Sequence, residues 1–477
     1  MRRVVFFSFV WKFTERISTQ LIQFIVQVVL ARILMPSDYG IVSVVTILIS
    51  FASVFVQAGF NSALVQKKDS DVIDFSSVFI LNIILATFMY VVIFFIAPFA
   101  ADFYEQPMLV AVLRVASISL FFGALNSVQI AVISKNLEFK KSFYSYLVAV
   151  LISGSIGIYM AYKGFGVWAL VVYQLLNSAV ICIVMWLIVK WRPQIVFSYK
   201  RLRGLFSYGC KIFAANLIDT IYKEVQYVIL GKIATAEMLG YYSRGLQFPT
   251  LFVRNINETL KMVLLPVYSS EQENSLKVKA MLRISVRCIV FLVFPTMVGM
   301  AVVANPMVAL ILTNKWLPSV PFIQIFCVSY ALSSLMAANG QAINSLGRSD
   351  IYFSIIIKKV VFMVTSMAIS SQFGIYAVAI STIFTDLFGI LLTFTPNKKL
   401  LNYNCKEMLN DILPSLLLSV AMGILVYFVS MLNMTLIVEL FAQVIFGVVI
   451  YIVMAWLLKM KELTFIIQVI KELRTRH

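Results

Sequence analysis

Residues 75–98 read FSSVFILNIILATFMYVVIFFIAP, 24 residues without one charged side chain. A helix that crosses the hydrocarbon core of a bilayer needs about 20 mostly apolar residues, so this stretch predicts a membrane span. Comparable runs between charged or Pro/Gly breaks fall near 10–34, 39–64, 108–133, 143–162, 167–189, 205–231, 238–265, 284–310, 319–345, 351–371, 374–395, 411–431 and 434–458. The composition agrees. Of 477 residues 61% are apolar and 13% charged, with a mean hydropathy of +0.94, against about 25% charged residues in a soluble domain. The predicted fold class is an all-α polytopic membrane protein of about 14 transmembrane helices.

The formal charge of +18 points to nucleic acid in a soluble chain, but between membrane spans it is the topological signal. Arg2 and Arg3 lie at the start, and alternate connections after it hold Lys67 and Lys68, Lys135, Lys140 and Lys141, Lys190 to Arg203, Lys277 to Arg283, Arg348, Lys398, Lys399 and Lys406, and the tail from Lys459 to Arg476. The opposite set holds Arg32, Lys163, Lys232 and Lys315, about 24 basic residues against about 4. Both termini are therefore expected in the cytoplasm, with membrane lipids as partners and no nucleic acid. Trp11, Trp168, Trp186, Trp191, Trp316 and Trp456 lie near predicted span ends, where an amphipathic ring suits the headgroup level. The basic, aromatic stretch 190–204 reads as a linker lying on anionic headgroups.

Several chemistries drop out. The one histidine is His477, which removes histidine metal sites, Ser/His triads and imidazole relays. Cys182, Cys210, Cys288, Cys327 and Cys405 are scattered without a C-x-x-C pair and read as core residues. The outward loops are too short for a catalytic domain, so neither an enzyme nor a metal site is expected. Lys12, Glu15 and Arg16 interrupt the first apolar run, against a cleavable signal peptide.

An internal repeat organises the spans. Leu30, Arg32, Ile33 and Gly40 recur as Leu230, Lys232, Ile233 and Gly240, and 165–170 (FGVWAL) resembles 373–378 (FGIYAV). Two parallel six-helix lobes follow, 1–200 and 201–405, then two additional transmembrane helices within 406–458 and a basic cytoplasmic tail, 459–477. Such a design places a substrate site between lobes.

Polar groups at membrane depth are costly and mark such a site. The first span carries Lys12, Arg16, Gln20, Gln23 and Gln27 on one helix face; the second carries Ser43, Thr46, Ser50, Ser53, Gln57 and Asn61. In the second lobe Asn216, Asp219, Lys223 and Gln226 form one stripe, and Arg244, Gln247, Arg254, Glu258 and Lys261 another. The candidate substrate cavity comprises Arg16, Gln20, Gln23, Gln27, Gln57, Lys223, Arg254, Asn257 and Lys261. Cations exceed acids on these four helices, which favours an anionic substrate, with Arg16 and Arg254 suited to hold phosphate in bidentate fashion. Any one of these groups can equally pair with a neighbouring helix. Asp219, Glu224, Glu258 and Asp386 are candidates for proton or sodium coupling, and the choice among them stays open.

The turn Leu30-Ala31-Arg32-Ile33-Leu34 with Asp38-Tyr39-Gly40, the segment 58–68 (AGFNSALVQKK), Asn136-Leu137-Glu138-Phe139-Lys140, Leu265-Pro266-Val267-Tyr268-Ser269, Lys315-Trp316 and Leu346-Gly347-Arg348-Ser349-Asp350 carry a family likeness in their order and spacing. Over nearly its whole length the chain resembles the Wzx-type polysaccharide flippases of the multidrug/oligosaccharidyl-lipid/polysaccharide exporter superfamily, in the branch with colanic acid and teichuronic acid exporters. Where that family has glycine before the Lys-Trp pair, this chain has Thr313-Asn314. The resemblance implies translocation of undecaprenyl-diphosphate-linked oligosaccharide repeat units across the bacterial inner membrane by alternating access. It implies no cofactor beyond a proton or sodium gradient, and other polysaccharide assembly proteins as partners. A small-molecule or drug antiporter on the same fold is the alternative; a polysaccharide polymerase or glycosyltransferase would need a large outward loop.

Overall fold

Backbone in hydrocarbon must satisfy its own hydrogen bonds, and every long apolar run of this chain does so as α-helix. The computed structural model describes residues 2–57, 59–67, 69–432, 434–464 and 468, side chains of 2–10, 12, 13, 16, 17, 207, 208 and 258–263 excepted, and among these there is no strand. Eleven helical segments among the described residues are long and apolar enough to cross a membrane. Three further helices of 32, 35 and 34 residues are long enough but carry more charge. Those three are the ones whose sequences hold the first, third and fourth polar stripes.

Packing divides the chain into two compact units, Met1–Gly240 and Tyr241–His477. The first contains α1 (Arg2–Ile33), α2 (Pro36–Gln57), α3 (Phe60–Gln66), α4 (Val72–Phe103), α5 (Leu109–Ala116), α6 (Ser119–Asn136), α7 (Phe139–Tyr162), α8 (Val167–Ile188) and α9 (Tyr199–Ile233). Two expected single spans are each broken in two. Gly59, at φ 72°, separates α2 from α3, a left-handed conformation that glycine adopts without steric cost. Residues 117–118 separate α5 from α6.

At one end of this unit α4 starts with a capping box between Asp71 and Asp74. Asp74 is fully buried and takes Lys67 Nζ at 2.6 Å and Arg201 Nη1 at 3.6 Å. The Asp74 backbone N–H and then the Arg201 and Lys67 charges hold the Asp71 carboxyl below its usual range. The stretch after α8 is pinned to the same place: the N–H groups of Gln194 and Ser198 donate to the Ser76 and Ser77 hydroxyls, each at 3.0 Å. Trp191 packs on Phe75 and Phe79. The linker thus has its own protein bed at Trp191, while Lys190, Arg192, Tyr199 and Lys200 are exposed along with Ile195 to Phe197.

The second unit holds most of α10 (Ala236–Ser269), then α11 (Ser275–Val302), α12 (Ala304–Ile311), α13 (Val320–Ser345), α14 (Ser349–Ser370), α15 (Ile375–Leu401), α16 (Cys405–Val429) and α17 (Leu436–Leu457). Tyr242 on α10 meets Phe322 and Phe326 on α13, with centroids 5.5 and 5.0 Å apart. The two last helices are built onto α11. Arg283 grips Asp411 through Nε at 2.8 Å and Nη2 at 2.9 Å, a fork that matches both carboxylate oxygens. Tyr403 also donates to Asp411, and the Tyr451 hydroxyl donates to the Phe291 carbonyl at 2.9 Å.

By repeat α9 opens the segment 201–405, whereas by packing it lies with α2, α3 and α4 in Met1–Gly240. Phe213 meets Phe55 edge-on at 5.2 Å, and Phe206 tilts against Phe60 at 6.5 Å.

Candidate functional site

Two of the four polar stripes come together within the first unit. α2 and α9 run against each other, and near mid-helix the Ser50 hydroxyl of α2 lies beside the Glu224 carboxyl of α9. One residue away Lys223 pairs with Asp219 at i,i+4 on the exposed face of α9. A coupling candidate is thereby bound to a cavity candidate. Gln57 is exposed at the end of α2.

On α1, Gln20, Gln23 and Gln27 are half-buried, and Gln27 hydrogen-bonds Tyr173 of α8. The amide stripe therefore serves partly as a contact inside its own unit. Glu15 is buried against α7, near Tyr146. The side chains of Lys12 and Arg16 lie outside the described residues.

On α10 the stripe divides. Arg244 is buried, bonds Gln247 one turn on and stands over the Trp316 ring at 5.9 Å, so it serves the interior of its unit. Arg254 is exposed, 18 residues from the start of α10 and 15 from its end, and it has no carboxylate partner among the described residues. Asn257, one turn further on the same face, keeps its Oδ1 without a hydrogen-bond partner there. Glu258 and Lys261 have side chains outside the described residues.

Asp386 stands apart from these stripes. On α15 it is buried and takes Lys359 Nζ of α14 at 2.8 Å through one oxygen and the Ser329 hydroxyl of α13 through the other. A carboxylate at this depth is tolerable because the ammonium neutralises it and both oxygens are bonded. Lys359 and Asp386 stand out in the sequence as charges within otherwise apolar runs. Their pairing, and Ser329, do not, because three helices must be superposed before the contact exists. Among the described residues no group of three or more His, Cys, Asp or Glu is placed to hold a metal ion, and all five cysteines are free.

A polar stripe on long membrane helices is a general transporter feature, and relatives narrow it. A family profile described as polysaccharide biosynthesis protein matches residues 29–321, more than half of the chain. The chain belongs to the polysaccharide biosynthesis protein family. This family member is 26% identical over 307 residues to the teichuronic acid biosynthesis protein TuaB of Bacillus subtilis (strain 168), covering 64% of this chain and 63% of that one. The match thus spans just under two thirds of that relative's length. Identity to the lipopolysaccharide biosynthesis protein WzxC of Escherichia coli (strain K12) is 23% over 407 residues, 83% of each chain. Among solved structures, the lipid II flippase MurJ in its inward closed conformation superposes with a TM-score of 0.76 at 14% identity, over 94% of this chain and 98% of that one. At such identity the likeness concerns the fold. This member of the polysaccharide biosynthesis protein family is accordingly a multi-pass, all-α membrane protein.

Proposed function

We propose that this chain is a flippase that carries undecaprenyl-diphosphate-linked oligosaccharide repeat units from the inner to the outer leaflet of the bacterial inner membrane. It works by alternating access and without covalent chemistry, for the assembly of a surface polysaccharide. In this reading α1, α9 and α10 also span the membrane, for fourteen spans, and both termini lie in the cytoplasm. Residues 1–200 and 201–405 form the two repeat-related lobes, and 406–458 adds two helices. A proton or sodium gradient drives the cycle, and other assembly proteins supply and receive the cargo.

The observation that carries the reading is Arg254: an exposed guanidinium midway along a 34-residue helix, with no carboxylate partner among the described residues. A cation at that depth is costly unless a ligand or water meets it, and a guanidinium fork matches the oxygens of a diphosphate. The names of TuaB and WzxC, both polysaccharide biosynthesis proteins, support a glycan cargo, and the fold shared with MurJ supports a lipid carrier. A drug antiporter would favour an acid-dominated cavity, yet Asp219 and Asp386 are each bound to a lysine.

The test is reconstitution. Proteoliposomes holding the purified chain should move a fluorescent undecaprenyl-diphosphate oligosaccharide between leaflets faster than empty liposomes. Equal rates in both would end the proposal.

A further inference from the structure

A second polar feature lies within the first unit, apart from the charged stripes. α2, the start of α6 and α8 enclose a cavity of about 170 Å³, whose polar lining is Thr46, Ser50, Ser53, Ser119, Gln174 and Ser178. The sequence marks the first three as one face of α2; Ser119, Gln174 and Ser178 join them only in the folded unit.

The hydrogen bonds give this cavity a definite polarity. A hydroxyl has one proton to donate and two lone pairs to accept with. Thr46 donates to the carbonyl of Val42 at 2.8 Å, Ser53 to Ile49 at 2.5 Å, Ser119 to Ala116 at 2.6 Å and Ser178 to Gln174 at 3.2 Å. Ser50 lies beside the Glu224 carboxyl. Four hydroxyl protons are thus directed at the protein, so those oxygens offer acceptors to whatever enters. Such a wall suits a ligand that brings several donors. To a diphosphate, which is all acceptor, it offers only the Gln174 amide as a donor.

Size separates the remaining ligands. The space admits at least about five waters, far more than a bare sodium ion needs, and none of the six polar side chains lining it is a carboxylate. A sugar ring bears several hydroxyl donors at such spacing and carries no charge. We infer that this cavity is the subsite for a neutral, hydroxyl-bearing sugar residue of the cargo, and not for its diphosphate. The assignment rests on the lipid-linked glycan reading and adds which part of the cargo goes where.

The experiment compares two ligands on the full-length chain in nanodiscs: undecaprenyl diphosphate, and the same lipid carrying one N-acetylglucosamine. Ser53→Ala and Ser178→Ala remove one acceptor each and keep the helix, and Thr46→Val does so with shape conserved. Affinity for the sugar-bearing lipid should fall about three- to tenfold per substitution, with affinity for undecaprenyl diphosphate unchanged and with size-exclusion profiles like those of the parent. If both lipids bind the parent and no substitution weakens the sugar-bearing one selectively, the subsite is wrong and the flippase reading stands. A selective change in sodium dependence would reassign the cavity to a cation. If the parent binds neither lipid, the flippase reading falls and takes the subsite with it.

Discussion

The Cβ that Gly40 lacks would lie 1.7 Å from the carbonyl oxygen of Ala236, and the Cβ that Gly240 lacks would lie 2.0 Å from the carbonyl oxygen of Pro36. The two glycines are 200 residues apart, the spacing of the internal repeat, and each sits over the helix start that precedes its counterpart. The crossing is reciprocal, and backbone meets backbone, so no rotamer change can relieve an added methyl group.

Alanine in place of glycine within a helix ordinarily stabilises by about 1 kcal/mol. At these two positions the sign should reverse. Gly40→Ala and Gly240→Ala are each expected to lower stability by about 1–3 kcal/mol, as overpacking does. Thermal unfolding in detergent, followed by loss of monodisperse protein, would read a drop of several degrees. The double variant should cost less than the two singles together, because the first substitution already parts the crossing. A rise in stability for either single variant would show that the helices do not meet here.

Lys359 and Asp386 make a second, opposite kind of contact, a charge pair buried among α13, α14 and α15. Removing one member leaves an uncompensated charge, so Lys359→Met or Asp386→Asn should each cost about 3–5 kcal/mol, while the combined replacement should recover most of that loss. The same thermal assay on the three variants checks it. Near-equal damage from single and double variants would mean that the pair is not the reason these charges are tolerated.

Thr313 supplies a third prediction. It holds φ 85°, ψ 165° just ahead of the fully buried Trp316, at the turn where the Wzx-type pattern has glycine. A β-branched residue in that region is strained. Thr313→Gly should therefore raise stability by about 1–2 kcal/mol, measured as a higher unfolding temperature. A loss would indicate that the threonine side chain makes a contact worth more than the strain.

Much of the fold was legible in the sequence because a bilayer imposes one rule on every span, and a run such as 75–98 obeys it without reference to any neighbour. The polar stripes were legible for the same reason, since helical spacing alone aligns Asp219 with Lys223 and Arg254 with Asn257. What depended on tertiary contact was not. The break at Gly59 looks like any glycine in an apolar run until its φ of 72° is seen. Lys67, Lys135 and Arg201 read as free loop charges, yet Lys67 and Arg201 reach the buried Asp74, and Lys135 caps the carbonyls of Lys67 and Ser70 at 3.3 Å. The pairing of Asp386 with Lys359 was not legible because the two are 27 residues apart on different helices. Arg244 belonged to a stripe by spacing, but the Trp316 ring draws it to the interior of its unit.

The central claim is that Arg254 on α10 meets the diphosphate of a lipid-linked glycan. The most direct measurement is the leaflet-exchange rate of fluorescent undecaprenyl-diphosphate oligosaccharide in proteoliposomes bearing the parent chain, Arg254→Lys or Arg254→Ala, each with confirmed insertion. Loss of a charged hydrogen-bonding group is worth about 1.5–3 kcal/mol, so Arg254→Ala should slow exchange at least about tenfold and Arg254→Lys by less. Equal rates for all three proteins would contradict the account.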